Sequence, residues 1–171
     1  MSNSETLKVN TPTERDIEIK RVFDAPRHLI FDALTKPELV KRWLLGPPGW
    51  SMPVCEIDLR VRGTYRWVWR KDSDGSEMGM GGVFREIVPP ERFVATEKFD
   101  EAWYPGEALV TNALEEKDGR TTLTLTIRYE SQEARDTALK TDMAKGVEAS
   151  YDRLEKILAS GTPETEKRAK A

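Results

Sequence analysis

Histidine and cysteine are almost absent from this chain of 171 residues, which carries one of each. Cys55 alone forms no internal disulfide, and a solitary thiol suits a reducing compartment, where it packs as a small buried hydrophobe. A zinc site or a histidine-based triad needs several such residues together, so neither is indicated, and no metal or cofactor is expected. His28, beside Arg27 in the first turn of a helix, reads as an exposed residue. There is no apolar run near the roughly 18 residues that a membrane helix needs. Nor does the N-terminus show a basic start followed by an apolar block, so the expected location is the cytoplasm. Basic residues number 27 against 30 acidic ones, and no cluster of Lys and Arg lies outside the C-terminal tail, which leaves nucleic-acid binding without an electrostatic footprint.

What remains is the composition of one soluble domain. Residues 1–12 and 161–171 are polar, lack apolar periodicity, and are expected to be disordered. Between them the domain spans residues 13–160. Its first strand, RDIEIKRVF, places Ile17, Ile19 and Phe23 on one face at period two. Pro26 then opens a helix with Leu29, Ile30, Ala33 and Leu34 as its stripe, and Pro37 stops it and starts a short successor ending near Trp43. From Met52 onward six further strand patterns follow in series, separated by turn residues such as Arg62-Gly63, Pro89-Pro90 and Asp118-Gly119. After Tyr129 the period changes to 3.6. Leu139, Met143, Val147, Tyr151, Leu154 and Leu158 share one face, and a break near Thr141 and Asp142 leaves a final helix of roughly 18 residues and about 27 Å. The order predicts an α+β domain in which a seven-stranded antiparallel sheet curls around a long C-terminal helix, a grip that leaves an apolar cavity between them.

The stretches ALTKPELVKRWLLGPPG, EIDLRVRGTYRWVWR, GGVFREIVPPERFVATEKF and SYDRLEKIL, in that order, resemble the SRPBCC superfamily (START, polyketide cyclase and pollen-allergen-like proteins). Within it the chain is most similar to the branch that includes the C-terminal domain of the activator of the 90-kDa heat shock protein ATPase. The resemblance covers the whole expected domain and implies the helix-grip fold and its ligand cavity. It implies no shared catalytic set, because the superfamily is defined by its cavity and one fold hosts many functions. On the last helix, where relatives often carry Gly-Trp, this chain has Gly146-Val147, a smaller pair that enlarges the expected pocket unless a neighbouring Trp fills it.

The candidate lining follows from strand facing. Tyr65, Trp67 and Trp69 form an aromatic row on one face of a strand assigned to the concave side. Met78, Met80 and Phe84 follow at even spacing in the next strand, among Gly79, Gly81 and Gly82, which mark a bulge or a close backbone approach. From the long helix, Met143, Val147 and Tyr151 face the sheet, with Gly146 and Ser150 expected to let the helix lie close on it. The polar groups placed to orient a ligand are Tyr151, Glu97 and Asn112. Among the carboxylates Glu56, Asp58, Glu97 and Glu107, one turned into an apolar cavity would have its pKa raised, as a general acid requires, while the others find ion-pair partners in Arg60, Arg62, Arg66 and Arg70. No catalytic residue is assigned. The leading functional reading is binding of a small hydrophobic molecule, for carriage or sensing. The alternatives are a cyclase or dehydratase using a pocket carboxylate, and a protein-interaction module like the chaperone activator domain. A homodimer through a sheet edge or the exposed helices is left open by the sequence.

Overall fold

A computed structural model of the protein describes residues 7–102, 104 and 106–160. Its elements in chain order are β1 (Lys8–Asn10), β2 (Asp16–Phe23), α1 (Arg27–Thr35), α2 (Pro37–Trp43), β3 (Trp50–Ile57), β4 (Thr64–Lys71), β5 (Glu77–Val88), β6 (Arg92–Phe99), β7 (Ala108–Lys117), β8 (Arg120–Arg128), α3 (Gln132–Leu139) and α4 (Met143–Ser160). The strands form one sheet in the order β1-β2-β8-β7-β6-β5-β4-β3, with every pair antiparallel. Short reversals join β3 through β8, so neighbours in sequence are neighbours in space.

The sheet has eight strands and not the expected seven. The additional strand is β1, whose residues Lys8, Val9 and Asn10 pair with Lys20, Ile19 and Glu18 of β2. It falls inside the stretch expected to be a disordered tail. All three of its residues are exposed, so pairing of the backbone holds it and no burial pattern marks it in the sequence. The C-terminal tail expected over residues 161–171 lies outside the described residues.

Period two in β2 sends Ile17, Ile19, Arg21 and Phe23 inward, and all four are buried. Pro26 caps α1 and Pro37 stands at the first position of α2, where the missing N–H is an orphan in any case. The 3.6-period segment resolves into two helices. Ser131 caps α3 by accepting a hydrogen bond from the Ala134 N–H at 3.0 Å, and α4 starts after Thr141 and Asp142 with the expected 18 residues. At the β3 edge, Pro53 and a register shift between Ser51 and Val54 interrupt the ladder, which blunts that edge as a template for pairing with another chain.

Two features bend the sheet into a grip and hold the helix across it. In β5, a Cβ at Gly81 would meet the Tyr65 carbonyl and one at Gly82 would meet the Thr96 carbonyl, so these positions admit only hydrogen. Gly82 is the cross-strand partner of Tyr65, whose hydroxyl donates to the Thr96 carbonyl of β6 at 2.6 Å. The tyrosine thus bridges the place where the glycine supplies no side chain. Opposite, α4 is fastened by polar contacts. Arg153 donates to the Trp43 and Gly46 carbonyls at 2.9 and 3.1 Å, and the Ser150 hydroxyl accepts from the Gly46 N–H at 2.8 Å. The buried Arg21 reaches from β2 to Asp152 and Glu155. A Cβ added at Gly146 would meet only the Pro47 side chain, at an ordinary 3.9 Å, so this glycine faces the chain after α2 and is not required for close packing on the sheet. Between the fastenings the helix stands off the sheet.

Candidate functional site

The space left under α4 is a cavity of about 230 Å³. Its floor is the concave face of β3 to β8, and its other walls come from α1, α2 and the chain after α2, and from α4. Antiparallel register explains the floor, since directly paired residues share a face. Phe93 pairs with Asn112, Ala95 with Val110, Asn112 with Leu125 and Val110 with Ile127, and all of them line the cavity.

The structure brings together nearly all of the residues singled out in the sequence. Tyr65, Trp67 and Trp69 of β4, Met80 and Phe84 of β5, Glu97 of β6, Asn112 of β7, and Met143, Val147 and Tyr151 of α4 all line the cavity. Met78 does not. It pairs with Trp69 and shares the concave face with Met80, but it is an exposed residue towards the end of β5, beyond the cavity. Sequence reasoning did not single out Trp43, Leu44, Phe93, Phe99 or Tyr129 as lining residues. Phe93 and Phe99 share the even spacing of Glu97 along β6, so that signal was present in the pattern. Trp43 and Tyr129 sit at ends of elements, where periodicity carries no information.

Ring contacts keep the walls apart. Tyr65 and Trp67 lie tilted against each other with centroids 4.9 Å apart, Trp67 and Trp69 meet edge to face at 5.9 Å, and Trp43 lies 6.0 Å from Tyr151. The Trp69 indole N–H donates to the Leu44 carbonyl at 2.7 Å, while that of Trp67 is buried without an acceptor among the described residues. Aromatic side chains lose few torsions on ordering and resist collapse into the void.

Glu97 is the chemical exception in this lining. Asp58, Glu77 and Asp100 are exposed and paired with Arg60, Arg70 and Arg66 on the outside of the sheet, and Glu56 and Glu107 are also exposed. Glu97 instead lines the cavity, and its hydrogen-bond partner among the described residues is the Tyr104 hydroxyl, which donates to Oε2 at 3.0 Å. Burial raises its carboxyl from 4.5 to about 7, with the Tyr104 hydrogen bond pulling the other way. Tyr65, Tyr104 and Tyr129 are pushed up by burial and by the nearby Glu97, and so stay neutral phenols. Among the described residues the Tyr129 hydroxyl makes a long contact to the Met143 sulfur, at 3.9 Å. The Asn112 amide and the Tyr151 hydroxyl have no hydrogen-bond partner among the described residues. Tyr104 came from the turn between β6 and β7, where no sequence signal marked it.

The raised carboxyl has a consequence for stability. A glutamate near 4.5 in the unfolded chain and near 7 in the fold binds its proton more tightly when folded. Its contribution is therefore greatest at acid pH, falls as pH rises from about 4.5 to about 7, and is flat above that. Glu97→Gln is expected to remove this slope, worth at most about 3 kcal/mol between pH 4 and pH 8, less where water enters the cavity. Urea unfolding of both proteins at pH 5 and pH 8 measures it. Parallel pH profiles would show that the carboxyl is not desolvated.

Other chemistry is less well provided for. His28 is exposed, and Cys55 is half-buried against the core with its thiol pushed up to about 11 by burial, so it stays protonated at neutral pH. Among the described residues no group of three or more His, Cys, Asp or Glu is placed to hold a metal ion. No described helix is long and apolar enough to cross a membrane.

A curved antiparallel sheet gripping a long C-terminal helix over an aromatic cavity defines a protein of the helix-grip, SRPBCC-type class. The family model for the Activator of Hsp90 ATPase homolog 1-like protein matches residues 24–159, and the chain belongs to that family. No curated protein matches it. Among solved structures it is similar to a protein from Rhodobacter sphaeroides at 31% identity and a TM-score of 0.86, over 92% of this chain and 100% of that one. A protein from Chromobacterium violaceum is 26% identical with a TM-score of 0.75, over 85% of this chain and 97% of that one. An AHSA1-like protein from Aeromonas hydrophila shares the fold at 17% identity and a TM-score of 0.67, over 85% and 94% of the two chains.

Proposed function

We propose that the protein binds one small, largely apolar molecule in the cavity between the sheet and α4, for carriage or sensing. The observation that carries this reading is a cavity of about 230 Å³ walled by propped aromatic rings with a few polar groups among them, the composition typical of ligand sites. Its volume lies below the roughly 300–1,000 Å³ of drug-sized sites, which favours a compact molecule of one or two rings over a long acyl chain. Titration with neutral mono- and bicyclic aromatics, followed by tryptophan fluorescence and native mass spectrometry, tests it. Trp67 and Trp69 line the site, so saturable quenching with a one-to-one complex is the expected result. No binding across the panel, with no small molecule retained in the mass spectrum, overturns it.

Glu97 supports a second reading, a cyclase- or dehydratase-type enzyme, because a carboxyl near 7 in an apolar site is suited to proton transfer. Such reactions take a proton from one atom and deliver one to another. The cavity offers one carboxyl for this work, since the phenols around it are pushed up and keep their protons. That makes binding the stronger reading. Turnover of a β-hydroxy or β-keto aromatic substrate, lost in Glu97→Gln while binding persists, would establish the enzyme instead.

A further inference from the structure

We propose that the cavity selects a small aromatic or alkyl amine, its ammonium group paired with Glu97 and its apolar body held among the rings. The inference rests on the reading that the cavity is a binding site, and adds the charge of what binds there.

Three observations point the same way. The Glu97 carboxyl faces the cavity with one oxygen engaged by Tyr104, and no ion pair of its own is found among the described residues. No Lys, Arg or His among the described residues lines the cavity. The buried Arg21 is turned onto Asp152 and Glu155. Finally, the rings of Trp43, Tyr65, Trp67, Trp69 and Tyr129 line the space, and a cation seated over the face of such a ring is attracted by its negative potential. A carboxylate or phosphate ligand would give up its hydration for a site with no cation and one acidic group. An ammonium gains a carboxylate, and a cation–π contact wherever it lies over a ring face, in surroundings where low dielectric strengthens both.

Proton balance is simple. Where Glu97 is protonated before binding, the ammonium displaces its proton to solvent, and the complex holds an ammonium–carboxylate pair. Charged or titratable neighbours of Glu97 are few. Tyr104 faces it from the β6–β7 turn, Tyr129 from just after β8 and Tyr65 from β4, while α4 contributes Met143, Val147, Ser150 and the titratable Tyr151 to the cavity. The exposed Glu107 is sensed by Tyr65. With Glu97 near 7, amine affinity should rise by up to about tenfold between pH 6 and pH 8, where an alkylamine is still cationic. A neutral ligand should show no such rise.

The test is calorimetric titration of the full chain with 2-phenylethylamine, 2-phenylethanol and phenylacetate at pH 8. The amine is expected to bind at least about tenfold more tightly than the alcohol, and the acid not to bind, a gap of about 1.4 kcal/mol for the first pair. Glu97→Gln should erase the ratio between amine and alcohol. Should that variant fold poorly, the pH series on the native protein gives the same information. Alcohol binding with no preference for the amine, or equal binding of the acid, overturns the charge selectivity and leaves the binding site standing. Failure of all three to bind overturns both.

Discussion

Replacing Asp152 and Glu155 together by Asn and Gln is expected to destabilise the protein by about 3–5 kcal/mol, read as a lower urea midpoint at an unchanged slope. The Arg21 side chain is 1% exposed, and its guanidinium donates to Asp152 Oδ1 at 2.6 Å and to Glu155 Oε2 at 3.3 Å. Neither neighbouring strand offers another acid, and among the described residues the Arg21 Nε already lacks a partner. A lysine in this position could lose its proton, but a guanidinium cannot, so the variant must either bury a bare cation or open the fold to hydrate it. Opening means undocking α4, the wall of the cavity. The cluster is a weak source of net stability when intact, because taking the guanidinium from water is expensive and its partners stay partly in water, Asp152 being 55% and Glu155 23% exposed. Adding Arg21→Met to the double variant should therefore recover most of the loss, with the methionine packing beside Phe23, over which the guanidinium now lies at 5.5 Å. A double variant within about 1 kcal/mol of the native protein would show that water, not the two acids, satisfies Arg21.

Arg21 also shows where reading the chain stops short. Ile17, Ile19 and Phe23 were legible as an inward face, and Arg21 lies on the same phase, but its charge contradicts the pattern. Its partners lie 131 and 134 residues away, beyond the reach of any local rule. The concave aromatic row and the last helix were legible because period two over β4 and period 3.6 over α4 are both sustained. β1 was not, since pairing without burial leaves no periodicity. Met78 and Met80 illustrate a further boundary. Alternation assigns both to the same face, yet only the strand's position in the sheet decides which of them lies under α4 and which beyond it. Glu97 was legible as an acid on an apolar face, whereas Tyr104, which completes its surroundings, comes from a turn. About half of the residues that line the cavity, Glu97 among them, were thus visible in the sequence, whereas its hydrogen-bond partner Tyr104 and the buried Arg21 were not.

Val147→Trp should abolish ligand binding, lowering affinity by at least about 100-fold, or about 2.7 kcal/mol, while leaving the fold intact. Val147 stands on the face of α4 that looks into the cavity, on the stretch before the Ser150, Asp152, Glu155 and Arg153 fastenings. An indole here projects into a space of about 230 Å³ and takes up much of it. Overpacking is costly in a filled core because neighbours must leave their rotamers, but here there is a void to receive the ring. Valine and tryptophan also have similar helix propensities, so α4 itself should not change. Stability should therefore hold or rise slightly, and the separation of the two readouts is the informative part. Loss of binding with an unchanged urea midpoint places the ligand under α4. Loss of both would mean that the ring cannot enter the cavity and has displaced the helix. Met78→Trp is the matched control, an equally large ring on the same concave face but outside the cavity. If Met78→Trp weakens binding and Val147→Trp does not, the ligand sits at the exposed end of β5, and the cavity is a packing defect spanned by rigid rings.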